Sequence, residues 1–158
     1  MYTRDIGLAG IEVYDHLRDE YDIQIELGDI ANILAYISIG DRIQDIERLV
    51  GALADIKRLY AKDPEQMPNA EYIKPTVCVS PQTAFYGEKK SVPIRETEGM
   101  ICSEFVMCYP PGIPILAPGE MITREIIDYI IYAKEKGCSM QGMQDPAVES
   151  LFVLTGKY

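Results

Sequence analysis

Four of the chain's ten prolines fall between positions 110 and 118, in Tyr109-Pro110-Pro111-Gly112-Ile113-Pro114-Ile115-Leu116-Ala117-Pro118. Proline fixes φ and has no backbone N–H, so this stretch is excluded from a helix interior and from a central strand. Ile113, Ile115 and Leu116 are residues of the interior, so a solvated proline-rich linker is excluded as well. The remaining solution is a stiff, extended segment laid against a core, released by Gly119 before a helix. Few sequences constrain a loop so tightly.

The rest of the chain has the composition of an ordinary folded protein. It has 158 residues, 47% hydrophobic and 25% charged, enough for one domain or two small ones. Fifteen basic against twenty-five acidic side chains give a net charge of −10. A nucleic-acid partner is therefore not expected, since phosphate binding needs clustered Lys and Arg. No apolar run reaches the roughly 20 residues that span a bilayer, and the polar amino terminus is unlike a secretory signal. The expected location is the cytoplasm, with no membrane partner. Cys78, Cys102, Cys108 and Cys138 form no Cys-x-x-Cys pair, and His16 is the single histidine. Free buried thiols are expected, and no metal site.

Periodicity orders the elements. Leu8, Ile11, Tyr14, Leu17 and Tyr21 mark one stripe of a helix over residues 8–21. Residues 22–27 alternate like a half-buried strand, and 33–39 are nearly all apolar, like a strand covered on both faces. Asp41, with Gln44 in a capping box, should start a helix running to about Tyr60 on a face of Ile43, Ile46, Leu49, Val50, Leu53, Ile56 and Tyr60. Two strands are too few for a stable sheet, so this third of the chain looks for additional sheet elsewhere. Residues 62–75 hold three prolines and read as a linker. Beyond it, Val77 and Val79 suggest a short strand. Ser80-Pro81 has the form of a helix start. Strands are expected over 89–94, 100–109 and 151–154. Thr123 should cap a helix ended by Gly137.

Tyr109-Pro-Pro-Gly-Ile-Pro114 and Pro118-Gly-Glu-Met-Ile-Thr123 closely resemble the C-terminal domain of bacterial pyridoxal-phosphate-dependent ornithine/lysine/arginine decarboxylases. The resemblance continues through Pro75-Thr76, Ser80-Pro81, Ala84-Phe85 and Glu98-Gly-Met-Ile101. It also covers Ile23-Gln-Ile-Glu-Leu27, Asn32-Ile-Leu34 and Ser38-Ile-Gly40, and so nearly the whole chain. It implies an α/β (α+β) architecture. Residues 1–61 would be the end of an aspartate-aminotransferase-type small domain, 62–75 a linker, and 76–158 the decarboxylase C-terminal α/β domain. It further implies a parent enzyme that decarboxylates a basic amino acid, arginine preferred over lysine and ornithine, and that forms at least dimers.

The family holds pyridoxal phosphate on a lysine within Ser-x-His-Lys, whereas His16 is followed by Leu17. The phosphate-binding turns and the acid that pairs with the pyridine nitrogen also have no counterpart. Without that Schiff base there is no electron sink for the carbanion left by carbon dioxide. The resemblance therefore implies a C-terminal fragment, inactive alone, with no catalytic or cofactor-binding residue of its own and no cofactor bound. Glu26 matches the family's acidic residue that meets the distal cation of the substrate. A carboxylate there suits an ammonium or a guanidinium. Glu104, an acid in the apolar run Ile101-Cys-Ser-Glu-Phe105, is a second candidate, and Asp29 a third, although Gly28-Asp29 is also ordinary turn chemistry. A reading of a different class is a non-catalytic module that binds polyamines or a partner protein, or serves oligomerisation.

Overall fold

A computed structural model of the chain describes residues 1–64, 73–109 and 112–156. Its contacts divide it into two compact units, Met1–Asn69 and Ala70–Tyr158. Both mix helix and sheet.

In the first unit, α1 (Gly10–Tyr21) starts where the Glu12 carboxylate accepts the Ala9 N–H at 2.9 Å. It ends at Asp22, which takes a left-handed conformation (φ 52°) and returns its N–H to the Leu17 carbonyl. Val13 and Leu17 face a core shared with Leu8, Ile25, Ile33 and Ile56. A short antiparallel ribbon, β1 (Leu27–Gly28) with β2 (Ile33–Leu34), lies against α1. The approach is close: a Cβ on Gly10 would stand 1.8 Å from the Asn32 carbonyl oxygen, so only glycine fits. The second helix, α2 (Ile43–Tyr60), buries Ala52 and Ile56.

Four expectations fail in this unit. Over 22–27 the burial alternates as foreseen, with Ile25 inside and Gln24 and Glu26 out, but only Leu27 and Gly28 enter a ladder. Residues 33–39 are not a strand covered on both faces. Pairing stops at Leu34, and Leu34, Tyr36, Ile37 and Ile39 are exposed because no described element covers them. Ile43 and Val50, assigned to the buried face of α2, are exposed for the same reason. The cap also shifts by one residue. The Asp41 carboxylate accepts the Ser38 N–H at 2.5 Å in the preceding turn. Arg42 becomes the cap residue, and Asp45, not Gln44, accepts its N–H at 3.0 Å.

The second unit begins, in its described part, with Val77 bridging Glu120 rather than forming a strand. Ser80 caps α3 (Pro81–Tyr86), its hydroxyl accepting the Thr83 N–H at 3.1 Å. Next, β3 (Lys89–Pro93) pairs antiparallel with β7 (Ser150–Leu154), the last strand among the described residues. A separate sheet has the order β5-β4-β6, built from β4 (Val106–Tyr109), β5 (Ile113–Leu116) and β6 (Ser139–Gln141). Helix α4 (Arg124–Glu135) is capped by Thr123, whose hydroxyl accepts the Ile126 N–H at 3.3 Å. Its Ile126, Ile127 and Ile130 join Val106, Leu116 and Leu151 in the core.

The proline segment forms an edge strand, one of the few places in a sheet where a proline is tolerated, and the register shifts beside Pro114. Leu116 is fully buried, but Ile113 points to solvent, contrary to its expected burial. Pro110 and Pro111 lie outside the described residues, as do residues 65–72 of the expected linker. The expected strand over 100–109 is confined to its second half. Ile101 and Cys102 make single bridges to Met121 and Val153, the Ser103 N–H donates to the Phe152 carbonyl at 2.9 Å, and Glu104 lies outside any strand. The short β6 was not foreseen.

Candidate functional site

An open cleft of about 310 Å³ lies in the first unit, beneath Glu26. Its apolar walls come from Ile23, Ile25, Ala35, Ile37, Ile46 and Leu49, and Glu26, Asp41 and Asp45 supply three carboxylates. No lysine or arginine lines it. Backbone geometry fixes Glu26 at the rim: its N–H donates to the Leu34 carbonyl at 3.0 Å, and alternation turns its side chain outward. The three acids differ in their engagement. Asp41 accepts the Ser38 N–H and Asp45 the Arg42 N–H, whereas the Glu26 carboxylate is bonded to no described residue. Apolar walls below an uncommitted carboxylate suit an alkyl chain ending in a cation.

Asp29 lies at the turn between β1 and β2. Its Oδ1 accepts the N–H groups of Ala31 at 2.7 Å and Asn32 at 2.6 Å, an Asx turn that shapes the ribbon. It does not line the cleft. Glu104 belongs to the second unit and is only 4% exposed. One carboxylate oxygen accepts the Phe152 N–H at 2.7 Å and the other the Gln144 N–H at 2.9 Å. Both oxygens thus tie β7 and the loop after β6 to residue 104. Asp41 and Asp45 were not singled out as site residues from sequence. Their signal was present, because acids at the cap and first turn of a helix adjoin whatever precedes that helix.

His16 stacks on Tyr60 with ring centroids 3.9 Å apart, and its Nδ1 stands 2.6 Å from Glu20. Tyr60 donates to the same carboxylate at 2.8 Å, and these two bonds hold Glu20 below the usual carboxylate range. Burial pushes the Cys102 thiol up to about 12. Among the described residues, no group of three His, Cys, Asp or Glu is arranged to hold a metal, and no helix is long and apolar enough to cross a membrane.

The chain is similar to arginine decarboxylases of Bacillus subtilis and Halalkalibacterium halodurans, with 37% and 38% identity over 155 residues, 96% of this chain. The inducible lysine decarboxylase of Escherichia coli is 27% identical and matches 89% of it. The crystal structure of the Francisella novicida lysine decarboxylase shares the fold with a TM-score of 0.63, at 22% identity, over 92% of this chain and 28% of that one. The chain spans about a third of the length of the curated arginine decarboxylases (32%). The family description "Orn/Lys/Arg decarboxylase, C-terminal domain" matches residues 59–147. With more than half of its length matched in this way, the chain belongs to the Orn/Lys/Arg decarboxylase family.

Proposed function

We propose that this chain is the C-terminal portion of a decarboxylase of basic amino acids, with arginine as substrate before lysine, and that Glu26 binds the substrate's distal cation. The observation that carries the assignment to Glu26 is its carboxylate, unengaged above apolar walls in a cleft that two further acids also line. Preference for arginine is supported by the higher identity to arginine decarboxylases than to the E. coli lysine enzyme. A guanidinium adds geometry to charge, because it meets a carboxylate with two parallel N–H bonds.

Pyridoxal phosphate does not fit this cleft. Three carboxylates oppose a phosphate, and no lysine lines it to form an imine. In our reading the cofactor and its lysine sit on polypeptide outside this sequence, and no step of the chemistry falls to residues here. Substrate binding is their share: the apolar walls take the methylene chain and the acids take the charge. Agmatine or another polyamine would satisfy the same cleft, which is how a purely binding role would look.

The test is Glu26→Gln in a decarboxylase that carries this sequence. A hydrogen bond to a charged group contributes about 1.5–3 kcal/mol. The variant should therefore raise KM for arginine roughly tenfold to a hundredfold, with cofactor absorbance unchanged. An unaltered KM and kcat would remove Glu26 from the site. Saturable binding of agmatine to this chain alone, without decarboxylation by the longer enzyme, would favour the binding role.

A further inference from the structure

The β1–β2 ribbon continues on its other edge. Ile33 donates its N–H to the Met1 carbonyl at 2.9 Å and accepts from the Met1 nitrogen at 2.8 Å. Tyr2 faces Asn32, and the Thr3 N–H donates to Ala31 at 2.7 Å. Residues 1–3 are therefore an antiparallel third strand, and the Met1–Ile33 pair ends the ladder. In such a ladder alternate residues face one edge, so the next donors and acceptors on the Met1 side are those of Ala35 and Ile37. Neither makes a backbone hydrogen bond to a described residue. The side chains around them are those of a strand left uncovered: Leu34 is 50% exposed, Tyr36 80% and Ile37 58%. An unpaired apolar edge of this kind is a template for strand addition.

We propose that the Met1-side edge of residues 35–37 pairs with one further β-strand, the stretch of polypeptide that leads into Met1 in a longer chain. This rests on the reading that the sequence is part of a larger decarboxylase, as the relatives' length supports. The geometry sets direction and register. Because the Met1 nitrogen already lies in the ladder, residues before it need no turn to reach the edge. With Tyr2 opposite Asn32, the residue just before Met1 falls opposite Leu34. The second before Met1 falls opposite Ala35, and the fourth opposite Ile37. Opposed residues share a face, so the second and fourth would be apolar and lie on the side of Ala35 and Ile37.

The test compares amide hydrogen exchange in this chain with that in a version extended before Met1 by Thr-Val-Thr-Val-Thr. Exchange at Ala35 and Ile37 should slow at least tenfold, and at Tyr36, whose N–H faces the opposite edge, much less. Proline in place of the valine opposite Ala35 removes one ladder donor and should abolish the protection. Unchanged exchange at Ala35 and Ile37 in the extended chain, or equal protection by the proline version, would overturn the register. Self-association of the unextended chain that is lost in Ile37→Lys would assign the edge to a second copy and overturn the proposed occupant. None of these results depends on substrate. Failure here leaves Glu26 to its own kinetic test, and failure there leaves the register intact.

Discussion

Replacing Glu104 separates a structural carboxylate from a substrate-binding one. Its two oxygens accept backbone N–H groups of Phe152 and Gln144 at 2.7 and 2.9 Å, and the residue is 4% exposed. Each bond to a charged acceptor contributes about 1.5–3 kcal/mol. In Glu104→Gln one oxygen survives while the amide NH2 meets an N–H donor. One bond is lost, and removal of a buried charge offsets part of the cost, giving about 2 kcal/mol. In Glu104→Ala both N–H groups lose their partner and a cavity opens, so about 3–6 kcal/mol is expected. That is comparable to the whole stability of a small domain, roughly 5–15 kcal/mol. Urea denaturation followed by circular dichroism measures both variants. Losses within about 0.5 kcal/mol of zero would refute the reasoning. They would favour Glu104 as a substrate ligand, where its replacement should change KM without changing stability.

Gly10→Ala drives a methyl group into the Asn32 carbonyl and should prevent stable folding of the first unit, seen as loss of near-native thermal cooperativity; a melting temperature like that of the parent would contradict the close approach. Only the exposed Cys78 should react rapidly with a disulfide reagent at pH 8, since Cys102 is buried with its thiol pushed up to about 12. Cys78→Ser should then abolish the fast phase. Asp145 is held below the usual carboxylate range chiefly by the Ser150 N–H, with Ala147 and Glu149 adding theirs. Its stabilising effect is therefore present above the ordinary carboxylate pKa and fades as pH falls through the lower folded value. Melting temperatures between pH 6 and 2.5 should show Asp145→Asn less stable at pH 6 and with a shallower acid decline. Parallel curves would oppose this.

Helix starts and ends were legible because they are written locally. Ser80-Pro81, Thr123 and Gly137 act at or next to the positions they mark, through bonds of a few residues' reach. The strands were less legible. Residues 33–39 have the composition of a covered strand, but covering is a property of partners, and none of the described residues supplies it. Ser139 to Gln141 offered no apolar alternation at all and became a strand only because Met107 to Tyr109 stood ready to pair. At the candidate site, Glu26 was found through resemblance. Glu104 was conspicuous as an acid in an apolar run, yet sequence could not show that amides 40 and 48 residues away complete its bonding. Asp41 looked like a helix cap and was drawn one turn back by Ser38, a competition between two local motifs one residue apart.

The pairing of β3 with β7 has a consequence for synthesis. Lys89 finds its ladder partner in Leu154, and among the described residues the carboxylate of Glu104 accepts only from Gln144 and Phe152. While the chain emerges from a ribosome, α3, β4, β5 and α4 are all made before either partner exists. During that interval an acidic side chain sits within an apolar run whose amide donors are still untranslated, so the second unit cannot close progressively. Its assembly waits on the last strand, and stalling before β7 would expose β3 and Glu104 together to the cell's quality control.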